Sequence, residues 1–189
     1  MGDQEASWER IQSGDRREFE SFYHANAGRI LQFLRHMTGD HQAASDLLQE
    51  VFLYLWKRTN GFDPARGSLI NYVFGIARNR AAEWRRRCGR FADDSGLPDE
   101  NRGPEAGHER PEACRQDQSR TETAMLVEDV FDRLKPDARG LLWLREVEGH
   151  SYTELEDIFN IPLGTVKSRL FAAREELREL WNARTKMHL

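Results

Sequence analysis

Apolar residues recur along this chain at steps of three and four, the spacing of one face of a helix. Phe19, Phe22 and Tyr23, then Ile30, Phe33 and Leu34, define a first helix that Gly39-Asp40 interrupts. A second lies in AASDLLQEVFLYLWKRT, with Leu47, Val51, Tyr54 and Leu55 on one face and Leu48, Phe52 and Trp56 widening it. So broad an apolar band predicts burial on more than one side, leaving Asp46, Gln49, Glu50, Lys57 and Arg58 for the outer surface. Gly61, Pro64 and Gly67 then break the pattern. Ser68 is placed to cap a third helix, LINYVFGIARNRAAEWRRR, whose apolar residues are Leu69, Tyr72, Val73, Ile76, Ala77 and Trp84.

The last strong pattern is SYTELEDIFNIPLGTVKSRLFAAREELRELW, residues 151–181, which predicts two helices joined by a tight turn. Ser151 with Glu154 three residues on makes a capping box. Asn160 tolerates the left-handed backbone that stops a helix, and Pro162 suits the first position of the next helix. Val166, Leu170, Ala173, Leu177 and Leu180 share the inner face of that second helix; Thr165, Lys167, Ser168, Phe171 and Arg174 share the outer one. A hydroxyl-bearing basic face on the second helix of such a pair suits the DNA major groove, although a plain helical hairpin with a solvated face has the same pattern.

Charge divides the chain further. The net charge is -4, so attraction to nucleic acid depends on local clusters. Arg78–Arg90 holds six arginines against Glu83, whereas 92–118 holds eight acids against three arginines, with Pro98, Pro104 and Pro111. The basic run complements the C-terminal end of its helix dipole. Accompanied by Phe62, Tyr72, Phe74, Asn79 and Trp84, it also offers stacking surfaces and phosphate contacts for unpaired bases. The acidic, proline-bearing stretch cannot bury enough apolar surface to order itself and reads as a flexible linker. The expected architecture is therefore all-α: two small helical domains at 1–90 and 121–189, joined by a linker at 91–120.

Candidate catalytic chemistry is sparse. His36 and His41 do not share a helix face, His24, His150 and His188 are isolated, and Cys88 and Cys114 lack metal-ligand spacing. Cys88 stands beside arginines that favour its thiolate, but the expected reading is an ordinary cytoplasmic thiol. Neither an enzyme nor a cofactor is expected. No apolar run approaches the ~20 residues needed to cross a bilayer, and the acidic start lacks a secretory apolar region. A cytoplasmic protein without membrane insertion is expected.

The pieces ASDLLQEVFLYLW, FDPARGSLINYVFGIARNRA and LWLREVEGHSYTELEDIFNIPLGTVKSRLFAAREELREL resemble, in order, motifs of the extracytoplasmic-function (ECF) sigma factors of the sigma-70 family. The resemblance implies a sigma-2-like bundle and a sigma-4-like helix-turn-helix domain. It also implies a transcription initiation factor that binds core RNA polymerase through its β′ and β subunits and recognises promoter DNA at −10 and −35, with an anti-sigma factor as a further partner. By position it implies polymerase contact through Asp46, Gln49 and Glu50; −10 contact through Phe62, Arg66, Ser68, Arg78, Asn79 and Arg80; and −35 contact through Arg145, Thr165, Lys167, Ser168, Arg169 and Phe171.

Three positions depart from the family pattern. Glu156 stands where a small alanine usually faces the second helix, Asn160 replaces a turn glycine, and Ala172 replaces a polar or basic contact residue. A carboxylate at position 156 must turn outward or find a partner. Two other functions compete. A stand-alone helix-turn-helix regulator would leave Phe19–Arg87 unused, and a sigma-like decoy that binds an anti-sigma factor would not need Arg78–Arg90 or Lys167–Arg169.

Overall fold

The computed structural model describes residues 8–58, 61–64, 67–89 and 122–186. The acidic stretch read as a linker lies outside them, as does Arg66. The described residues are helical, with no strand among them. After a short helical segment at 8–12 come α1 (Arg16–Thr38), α2 (His41–Lys57) and α3 (Leu69–Cys88). Then follow α4 (Glu122–Asp132), α5 (Pro136–Leu142), a π-helical turn (Trp143–Val147), α6 (Tyr152–Phe159) and α7 (Leu163–Lys186).

Local chemistry sets the boundaries. Asp15 accepts from Arg17 N and Glu18 N to start α1, and Gly39 ends it at φ 67°. Asp40 accepts from Ala43 N to start α2, and the Ser68 side chain accepts from Asn71 N to start α3. Around α6 both bonds of the capping box form, and Asn160 closes the helix in the left-handed conformation at φ 49°. Pro162 lies just before α7 rather than at its first position, and its carbonyl accepts from Thr165 N and Val166 N.

Helices α1, α2 and α3 form one module, and α4 to α7 the other, as the apolar spacing predicts. The two modules also pack directly on each other, α3 against α6 and α1 against α5. Phe33 and Phe74 from the first module meet Trp143 and Phe159 from the second in a shared aromatic core. Gly140 permits this approach: a Cβ there would sit 2.5 Å from Met37 Sδ and 3.1 Å from Phe33 Cε2. Phe74 is fully buried, which removes it from the aromatics expected to stack on bases.

Polar ties cross the same interface. Arg85, 7% exposed, donates to Asp137 Oδ1 at 2.9 Å and to the Met37 carbonyl at 3.0 Å. Arg29 pairs with Glu148. Asn71 donates to Glu154 Oε1 at 2.9 Å and lies 3.1 Å from His150 Nε2. His150 is thus a buried interface residue, not an isolated one. Arg85 is committed to holding the modules together, so only part of the arginine run faces solvent.

Candidate nucleic-acid interface

Three faces carry the residues singled out above. On α2, Asp46, Gln49 and Glu50 are exposed along one side, with Leu53 beside them at 54% exposure. Gln42 donates to Asp46 Oδ1 at 3.1 Å. Carboxylates, an amide and one apolar side chain on a rigid helix make a surface suited to a basic partner with an apolar anchor point. Leu53 falls in neither the apolar band nor the polar outer set that the sequence defines, and its exposure emerges only in the fold.

The second face joins the end of α2, residues 61–64 and the outer side of α3. The Phe62 ring lies 5.2 Å edge-on from Trp8 and 5.6 Å from Tyr72. Asn79 is exposed, and Arg78 Nη1 donates to its Oδ1 at 3.3 Å. Arg80 lies 5.4 Å from the Tyr54 ring centroid and pairs with Glu83 at 3.3 Å. The Ser68 hydroxyl oxygen is engaged as the α3 cap. Arg78 faces the other module: its guanidinium sits 5.7 Å from the Phe159 ring, and burial lowers its pKa from the ordinary arginine value. Of these residues Asn79 is exposed, Phe62, Arg78 and Arg80 are half-buried, and Arg78 is the one turned toward the other module.

The third face is the solvent side of α7. Lys167, Ser168 and Phe171 are exposed, Phe171 to 67%, and Thr165 and Arg169 are half-buried. Ser168 Oγ donates to the Thr165 carbonyl at 3.1 Å. Arg174 is tied to Glu146 at 2.6 Å. Arg145 stacks 4.5 Å over the Tyr152 ring and donates to the His150 carbonyl at 2.6 Å, so it also holds the π-helical turn against α6. Glu156 accepts from Leu163 N at 3.2 Å. The unexpected carboxylate is thus the N-terminal cap of α7, where the helix dipole favours a negative charge.

Residues 22–91 match the family Sigma-70 region 2, and residues 124–177 match Sigma-70, region 4. The RNA polymerase sigma-H factor of Pseudomonas aeruginosa is 32% identical over 179 residues, covering 89% of each chain. The chain belongs to the sigma-70 family, as a factor of the ECF type. The ECF RNA polymerase sigma-E factor of Escherichia coli (strain K12) is 29% identical over 180 residues, again across 89% of each chain. Among solved structures, CnrH in complex with the cytosolic domain of CnrY aligns with TM-score 0.68 at 20% identity, covering 95% of this chain and 97% of that one. RpoE bound to the anti-sigma factor NepR, from Bartonella quintana, aligns with TM-score 0.67 at 24% identity, covering 88% and 98%. Both likenesses are of fold. The ECF sigma factor is a transcription initiation factor. No helix among its described residues is long and apolar enough to cross a membrane.

Proposed function

We propose that this sigma factor binds core RNA polymerase through the Asp46–Gln49–Glu50 side of α2 and directs it to promoters through two DNA surfaces. The division follows the sequence reading, with a polymerase-binding and −10 module at about 1–90 and a −35 module at about 121–189. Lys167, Ser168, Arg169 and Phe171 address duplex −35 DNA, with Thr165 and Arg145 at the edge of that face. Cations anchor phosphates there, and the hydroxyl and ring reach base edges or thymine methyls. Phe62 and Asn79 capture an unstacked −10 base, assisted by Arg66, Ser68, Arg78 and Arg80. The factor acts by binding and not by catalysis, in the cytoplasm. An anti-sigma factor is a further proposed partner, in keeping with the complex in which RpoE of Bartonella quintana was solved.

The observation that carries this reading is the exposure of Lys167, Ser168 and Phe171 on the second helix of a capped helix-turn-helix. The test is transcription in vitro with core enzyme on a promoter library, which should yield transcripts from a common −35/−10 pattern. Reversing Asp46 and Glu50 to lysine should weaken core binding by about 1–3 kcal/mol. Unchanged co-elution of the doubly reversed protein with core would reject the α2 assignment.

A further inference from the structure

Arg58 and Tyr54 have no role in the functions assigned so far, yet both border the proposed −10 surface. Tyr54 is half-buried on α2, beside Tyr72 on α3, whose pKa is raised by burial and by Tyr54. Tyr72 in turn packs 5.6 Å from Phe62. A Cβ at Gly61 would overlap the Tyr72 hydroxyl, so the loop bearing Phe62 lies close over Tyr72. Two guanidiniums converge on the Tyr54 ring. Arg58, exposed at the end of α2, lies 5.5 Å from its centroid, and Arg80 of α3 lies 5.4 Å from it.

Holding two cations against one ring is costly unless something offsets their repulsion. The ring's quadrupole attracts each cation, and Glu83 pairs with Arg80. An anionic chain lying along both guanidiniums would complete the arrangement. A separated DNA strand carries one phosphate per nucleotide, so a strand running past Phe62 and Asn79 presents several to such a pair. We propose that Arg58 and Arg80 form a two-guanidinium clamp for the backbone of the separated −10 strand, with Arg58 a further DNA-contacting residue and Tyr54 the positioning residue that holds both. The clamp rests on the −10 assignment of Phe62 and Asn79.

The test uses holoenzyme reconstituted with core polymerase, on duplex promoter DNA and on a template with a pre-opened −10 bubble. Arg58→Ala should weaken bubble binding several-fold and reduce the salt slope by about 0.7 units, as expected for one contact to a single strand. Closed duplex binding should stay near wild type. Tyr54→Leu should reproduce the loss, and Tyr54→Phe, which keeps the ring face, should restore the slope. Circular dichroism and co-elution with core confirm that each variant folds and assembles. A wild-type bubble slope in Arg58→Ala, or in folded Tyr54→Leu, overturns the clamp. Phe62→Ala and Asn79→Ala run in parallel separate the two readings. If they weaken bubble binding while Arg58→Ala does not, the clamp alone is wrong; if none of the variants has an effect, the −10 assignment falls with it.

Discussion

In the proposed assignment, Asn79 and Lys167 divide the work of promoter binding. Lys167 is exposed on a helix suited to intact duplex, so Lys167→Ala should weaken initial promoter binding and reduce the salt slope by about one unit. Asn79→Ala should leave that step nearly unchanged and lower open-complex formation, because an amide can read a base edge only after the base leaves the stack. Permanganate footprinting with gel-shift titration measures both steps. The exposure of both residues was legible in the helical period. The burial of Phe74 and the engagement of His36 were not, because the surfaces that cover them come from distant sequence. His36 sits 5.1 Å from the Phe131 ring and 5.8 Å from that of Trp143, with Arg139, Arg35 and Glu128 as charged neighbours. Burial, reinforced by Arg139, lowers its pKa from 6.5 to about 4. A histidine with a depressed pKa stabilises the packed state fully above pH 6.5, and this contribution is lost as pH falls toward 4, by up to about 3 kcal/mol. Thermal unfolding between pH 7.5 and 4.5 should therefore show a loss of stability that His36→Phe reduces.

At the scale of elements, the helix ends were the most legible feature. Ser68 and Ser151 cap the helices that follow them as the sequence predicts, and Asp15 and Asp40, not singled out there as caps, do the same by equally local chemistry. Glu156 was legible as a problem but not as its solution, since the Leu163 amide it meets lies seven residues on, beyond the turn. Glu156→Ala should cost about 0.5–2 kcal/mol by uncapping α7. Glu156→Gln should recover part of this, as thermal unfolding would show. The π-helical turn at Trp143–Val147 has no local signal. It brings the Leu144 carbonyl within 3.2 Å of His150 Nδ1 and sets Arg145 over Tyr152, and those partners arrive only with the tertiary fold. Arg145→Ala should therefore perturb folding as well as DNA binding.

At the scale of the whole molecule, the all-α class and the two modules were legible, and their packing was not. The interface depends on pairs 52 to 119 residues apart, including Arg85–Asp137, Asn71–His150 and Arg29–Glu148. No periodicity records such distances. Packed in this way, the molecule cannot span a promoter. Arg78 touches Phe159, and the eight residues from Phe159 to Lys167 reach at most ~30 Å when fully extended. The −10 and −35 elements lie about 25 base pairs apart, or ~85 Å at ~3.4 Å per pair. Under the proposed assignment of −10 and −35 contacts, the modules must separate before both elements are bound. Asp137→Ala leaves Arg85 buried without its carboxylate, a change that typically costs about 3–5 kcal/mol. The variant should show a larger radius of gyration by small-angle scattering and a lower first unfolding transition, with helix content retained.

The buried Arg85–Asp137 pair also bears on what free factor can bind. If packing holds the open form at about 1% of the free chain, the apparent affinity of free factor for a promoter falls about 100-fold. The Lys167 and Phe171 face stays open in the packed form, so the penalty falls on sites that need both modules at once and not on every contact with DNA. A core polymerase that binds the extended form in preference would lift this penalty on assembly, making holoenzyme rather than free factor the species that reads whole promoters.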